Sequence, residues 1–142
     1  MKDIYNLERF ASAQDKQYKN VVDELKRGKK ISHWMWYIFP QVEGLGNSEI
    51  SRKFSIKSRD EAIEYLNHSI LGARLKECTR LILDHKTSTA EKIFGYPDYL
   101  KFYSSMTLFD EVSDDECVFH QALVQFNYED RDSKTLELLQ RL

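Results

Sequence analysis

The strongest constraint on this chain is a four-residue device that occurs three times. Ser58-Arg59-Asp60-Glu61, Ser88-Thr89-Ala90-Glu91 and Ser113-Asp114-Asp115-Glu116 each read Ser-x-x-Glu ahead of an apolar run. In such a capping box the serine oxygen accepts the amide three residues on. The glutamate reaches back to the serine amide, so two orphan donors of a helix start are satisfied. The three matches predict helices near 59–67, 89–94 and 114–126, with Ser58, Ser88 and Ser113 as N-caps.

The rest of the chain reads the same way. Leu7, Phe10, Ala11, Gln14, Tyr18, Val21, Val22 and Leu25 recur at three- and four-residue spacing. That is an amphipathic helix over 7–27, and Gly28 stops it just past its last turn. Ser69 is expected to cap a helix through Leu71, Leu75, Cys78, Leu81, Ile82 and His85. Asp98 is expected to cap one from Tyr99 towards Phe109, and Asp130 or Asp132 a last one carrying Leu136, Leu138, Leu139 and Leu142. Only residues 50–57 alternate loosely enough to suggest a strand, and one strand makes no sheet. The expected class is all-α: a single compact domain, 1–142, of about six or seven helices with at most one marginal strand near 50–57. Two prolines and five glycines in 142 residues agree with that class.

Charge and cysteine usage bound the function. The net charge of −2 makes no general case for nucleic acid, and none is expected as a partner. Residues 1–31 carry +3 and residues 110–142 carry −6. Either these are solvated helix faces, or they mark an acidic partner or a head-to-tail contact. Cys78 and Cys117 stand in apolar helical patterns without zinc spacing, so both are expected reduced and unpaired, with no metal. No stretch approaches a membrane span and the N-terminus lacks an apolar leader region, so a cytoplasmic location with no membrane partner is expected.

Two segments stand out as candidate site linings. In Ser32-His33-Trp34-Met35-Trp36-Tyr37-Ile38-Phe39-Pro40-Gln41, both tryptophans lie two residues apart and Pro40 ends any helix by Phe39. Gly44-Leu45-Gly46-Asn47-Ser48 then offers flexible amides to a ligand, with Ser48 able to cap the next segment. The glycines match neither the dinucleotide nor the P-loop pattern, and no cofactor is implied. The second segment is Lys101-Phe102-Tyr103-Ser104-Ser105-Met106-Thr107. On a helix, Lys101, Ser104 and Ser105 share one face, a point charge and two adjustable hydroxyls suited to an anion. The plainer alternatives are an aromatic core at 34–39 and a wet polar face at 101–105. No general base adjoins either serine, so no nucleophile is assigned.

The same blocks resemble an uncharacterised bacterial family catalogued as domain of unknown function 1810. The likeness rests on Ser32 to Gln41, then Gly44-Leu45-Gly46 and a serine. It continues in Leu71-Gly72-Ala73-Arg74-Leu75, in Ile93-Phe94-Gly95 with Asp98 and Lys101, and in Ser104 to Phe109. It closes with Asp132 and Thr135-Leu136. The resemblance implies a compact, mainly helical single domain and brings no activity with it. Asn127-Tyr128 departs from a glycine common in the family, and nothing here supports the calpastatin label that some relatives carry.

Two functions follow as expectations. The first is binding or turnover of an anionic or hydroxyl-rich small molecule in a cleft formed by the 32–48 and 101–107 segments. Its candidate ligands are His33, Trp36, Gln41, Gly44, Gly46, Ser48, Lys101, Ser104 and Ser105. The alternative is a protein–protein interaction module without catalytic activity, anchored by the aromatics. The sequence leaves open whether the chain is an enzyme, and its oligomeric state.

Overall fold

Helix-forming segments joined by short turns have to bury their apolar stripes against one another, and the computed structural model shows how. It describes residues 3–114, 117–126 and 131–141. Among them run nine helices: α1 (Glu8–Arg27), α2 (Met35–Ile38), α3 (Glu49–Lys53), α4 (Arg59–Asn67), α5 (Leu71–Leu83), α6 (Ala90–Phe94), α7 (Asp98–Glu111), α8 (Val118–Gln125) and α9 (Ser133–Arg141). The class is all-α as expected, but the count exceeds six or seven. The two extra helices, α2 and α3, are single turns, too short to show a period in sequence.

Helix α3 also replaces the first half of the strand expected near 50–57. What remains is an isolated parallel bridge between Val42 and Ile56. The Ile56 amide donates to the Gln41 carbonyl and the Glu43 amide to the Ile56 carbonyl, both at 2.9 Å. That bridge pins residues 41–43 beside the end of α3.

The centre of the bundle is α7. Every residue from Phe102 to Asp110 except Tyr103 is buried, so this helix has almost no solvent face beyond its first turn, and α4, α6, α8 and α9 pack round the rest. An aromatic network carries the packing. The Phe39 ring meets Phe102 at 5.2 Å and Phe94 at 5.9 Å, Phe94 stacks on Phe102 at 4.7 Å, and Tyr65 meets Phe109 at 5.4 Å. Buried polar groups lock the outer helices to one another. Gln14 on α1 donates to the Tyr37 carbonyl at 2.7 Å and to the Tyr65 hydroxyl at 3.0 Å. Arg9 pairs with Glu61 at 2.7 Å, both side chains nearly sealed from water. Its remaining donors reach the carbonyls of Tyr5, Asn6, Lys53 and Ser55.

Helix starts follow backbone geometry more than the motif. Ser58 caps α4, accepting the Glu61 amide at 3.0 Å. Glu61 does not reach back to Ser58, however; its carboxylate takes the Lys57 amide at 2.9 Å and Arg9. Ser48 caps α3, and Gly28 ends α1 in the left-handed conformation at φ 76°. The other expected caps move. Thr89, not Ser88, caps α6, because its extended backbone directly precedes Ala90. Ser113 closes the end of α7, its amide donating to the Asp110 carbonyl, and Cys117 caps α8. Ile70 occupies the cap position of α5, where His68 Nδ1 accepts the amides of Ile70 and Leu71 in place of Ser69. Asp98 lies inside the first turn of α7, after Pro97. Glu116, Asn127, Tyr128, Asp130 and Leu142 lie outside the described residues. Both cysteines are free, Cys78 buried and Cys117 half-buried, and no helix among the described residues is long and apolar enough to cross a membrane.

Two outcomes are expected from thermal or urea unfolding. Thr89→Ala should cost about 1 kcal/mol while Ser88→Ala costs a few tenths at most. On α7, the Ser105 hydroxyl is buried without a partner among the described residues, whereas Ser104 donates to Asp132 at 2.7 Å. Ser105→Ala should therefore be neutral or stabilising, and Ser104→Ala should cost about 1 kcal/mol by removing one of the two hydroxyls that the half-buried Asp132 carboxylate accepts.

Candidate functional site

The site begins at a carboxylate on the last full turns of α1. Glu24 is almost wholly buried, and its Oε1 accepts the amides of Ile31 and Ser32 at 2.6 and 2.9 Å and the Trp34 indole N–H at 3.1 Å. The loop after Gly28 is thereby folded back onto α1. Burial alone would raise the Glu24 carboxyl, but the hydrogen bonds from Ile31, Ser32 and Trp34 outweigh it and hold the group below the ordinary carboxylate range.

That loop delivers Lys30 to the start of α7. The Lys30 side chain is buried; its Nζ donates to the Ser32 carbonyl at 2.6 Å, pairs with Asp98 at 2.8 Å and lies 5.1 Å from the Trp34 ring. Asp98 also faces Lys101 at 3.4 Å, and the Lys101 ammonium stands 5.0 Å from the Trp36 ring. Two cations thus share one carboxylate, each against an indole, and among the described residues the cluster keeps one unbalanced positive charge. Cation–π contacts of this kind contribute about 0.5–1 kcal/mol where partly exposed.

Trp36 is the hinge between this cluster and a cleft. Trp34, Tyr37 and Phe39 are core, while Trp36 is half-buried and forms one wall of an opening with Gln41, Glu43, Gly44, Gly46 and Arg52. The enclosed part is only about 20 Å³, room for one water-sized group, and the remainder opens outward. Gly44, at φ 106°, sits where an added Cβ would lie 3.1 Å from Leu138 of α9; at Gly46 a Cβ would lie 2.6 Å from Ser51. Both glycines therefore let the loop close against its neighbours, where any added side chain would force them apart.

The sequence-expected residues divide accordingly. Trp36, Gln41, Gly44 and Gly46 line the cleft, and Lys101 adjoins it through Trp36. His33 is exposed beside Trp34 in sequence, and Ser48 is spent on its cap and on Ser51 at 2.8 Å. Ser104 turns towards Asp132 on the approach to α9, and Ser105 is sealed inside the bundle. The wet polar face weighed as the alternative at 101–105 is not found at the serines: both are buried, Ser104 against Asp132, and neither lines the cleft, whereas Lys101 stays partly exposed.

Four participants escaped the sequence reading: Lys30, Asp98 in this role, Glu43 and Arg52. Lys30 and Asp98 meet only through tertiary structure, and their sequence signal was confined to a basic pair after Gly28 and an acid after proline.

Nucleophilic and metal chemistry find little support elsewhere. Burial pushes the Cys78 thiol up to about 12. It also raises the Cys117 thiol, which donates to Asp110 at 3.3 Å, so neither thiol is primed as a thiolate. Among the described residues no group of three or more His, Cys, Asp or Glu is placed to hold a metal ion.

Residues 4–139 match the family model described as "Protein of unknown function (DUF1810)". A crystal structure of the conserved hypothetical protein Rv1873 from Mycobacterium tuberculosis is similar throughout. It is 44% identical, the match covers 96% of this chain and 98% of that one, and the TM-score is 0.94. No curated protein matches the sequence.

The Glu24 anchor is testable by pH. Because its folded-state value is depressed, its stabilisation is fully present above the unfolded carboxylate value and is lost as pH falls through the folded one. Unfolding free energies from pH 7 to pH 3 should show Glu24→Gln less stable than wild type at neutral pH, by about 1–3 kcal/mol, with the two curves converging in acid. Parallel curves would remove Glu24 from this role.

Proposed function

The chain belongs to the DUF1810 family of proteins of unknown function, and from that premise we propose that it binds a small anionic molecule where Trp36 meets Lys101. One observation carries the reading: among the described residues Lys30 and Lys101 share the single carboxylate of Asp98, which leaves a positive charge held against an indole at the edge of an open cleft. An anion placed there completes the charge balance of Lys101, and the indole covers its apolar part.

Under this reading Gln41, Gly44 and Gly46 form the opposite wall, with His33 and Ser48 at the periphery. Ser104 and Ser105 act through packing, setting the position of α7 and therefore of Lys101. No reaction is assigned to the site. A protein-docking module is the second reading, and it draws on Ile31, Tyr96 and Leu100, which stand exposed around the start of α7. The charge arrangement is the more specific feature and ranks the small anion first.

Trp36 makes the site self-reporting. Titrating the protein with a panel of inorganic phosphate, di- and tricarboxylates and phosphorylated metabolites should give a saturable change in tryptophan fluorescence with at least one. Lys101→Ala should weaken that binding by about tenfold or more while the protein stays folded, its stability lowered by no more than the ~1 kcal/mol of the lost indole contact. If no anion gives saturation, or if Lys101→Ala binds as wild type does, the reading fails.

A further inference from the structure

The cleft beside Trp36 carries three polar side chains that the fold itself does not use. Gln41 is half-buried, and its carboxamide makes no hydrogen bond among the described residues; Glu43 and Arg52 are exposed, and neither forms an ion pair there. A carboxamide, a carboxylate and a guanidinium therefore line one opening together with a half-buried indole, and the Lys101 ammonium, outside that lining, stands 5.0 Å from the same ring.

Glu43 is the discriminating feature. In a site with a surplus positive charge, a carboxylate at the rim repels any bare anion and reduces the value of that charge. It favours an anion only if the ligand brings hydroxyl donors to it. A carboxylate accepts two neighbouring hydroxyls at once, and a carboxamide both accepts and donates. The indole suits a ring with an apolar face, and Arg52 with Lys101 suits a phosphate. The enclosed volume of about 20 Å³ admits one small group, so the ring lies over the mouth against Trp36.

Resting on the anion-binding reading above, we propose that the ligand is a phosphorylated ring sugar. Its phosphate meets Lys101 and Arg52, its ring covers Trp36, and its hydroxyls meet Glu43 and Gln41. The same chemistry occurs in a free sugar phosphate and in the ribose phosphate of a nucleotide.

The test is calorimetric or NMR titration of the full chain with ribose 5-phosphate, glucose 6-phosphate, adenosine monophosphate, phenyl phosphate and inorganic phosphate. At least one sugar phosphate should bind about tenfold tighter than phenyl or inorganic phosphate. Glu43→Gln should erase that preference by weakening the sugar ligands while phenyl phosphate binds as well or better, and Lys101→Ala should weaken all of them. Adenosine monophosphate well above ribose 5-phosphate assigns the nucleotide source; equality or the reverse assigns the free sugar phosphate. If phenyl phosphate binds as tightly as the sugar phosphates, or Glu43→Gln leaves the preference intact, the sugar assignment is overturned and the anion site stands. If no anion binds, both fall. Cooperative unfolding of each variant well above the titration temperature keeps each outcome tied to the site.

Discussion

One oxygen atom on α1 sets the geometry on which the candidate site rests. Glu24 Oε1 gathers the Ile31 and Ser32 amides and the Trp34 indole N–H, and a buried carboxylate with three donors has little reason to protonate or move. Its hold on the 30–34 loop sends Lys30 towards Asp98 and seats Trp34 in the core, which leaves Trp36, two residues on, at the surface. Lys30 in turn fixes Asp98, and Asp98 faces Lys101. The path from a helix-end carboxylate to a solvent-facing ammonium is thus a chain of short polar contacts, each placing the next.

The second constraint is a helix with almost no outer face beyond its first turn. Because α7 is buried from Phe102 to Asp110 except at Tyr103, its polar side chains there need partners inside the protein. Asp132 supplies them on one side, accepting from Ser104 and Thr135 while its amide donates to Thr107 at 3.0 Å. Arg131 supplies them on the other, bonding Asp110 at 2.9 Å and Glu111 at 2.6 Å. The approach to α9 is therefore held by hydrogen bonds as much as by apolar contact. It closes over the serine face and brings Leu138 against Gly44. The loop that walls the cleft owes its closeness to that contact.

Much of the helical framework was legible in the residues. The 3–4 spacing from Leu7 to Leu25 and the Gly28 stop located α1 to within a residue. The Ser58 motif located α4 because the serine, the turn and the apolar run coincide. The other two motifs misplaced their caps for a physical reason. Ser88 and Thr89 offer the same hydroxyl chemistry, and only the backbone angles decide which one faces the first free amides. Ser113 belongs to the turn that ends α7, and local composition does not show where one helix's last turn stops and the next begins. Single-turn helices such as α2 and α3 are invisible to periodicity because they complete barely one period.

Local patterns by themselves determined the all-α class, the long helices, the burial of most of the 34–39 aromatics and the prominence of Trp36 and Lys101. These properties depend on neighbours within a turn or two along the chain. Tertiary structure alone decided that Ser104 and Ser105 lie inside, that Lys30 and Lys101 share Asp98, and that Glu43 and Arg52 border the cleft with Trp36. Which side of a helix meets water depends on what packs against it, and Lys30 stands 68 positions from Asp98. No local periodicity encodes a pairing across that distance; it is set by how the helices fill space around α7.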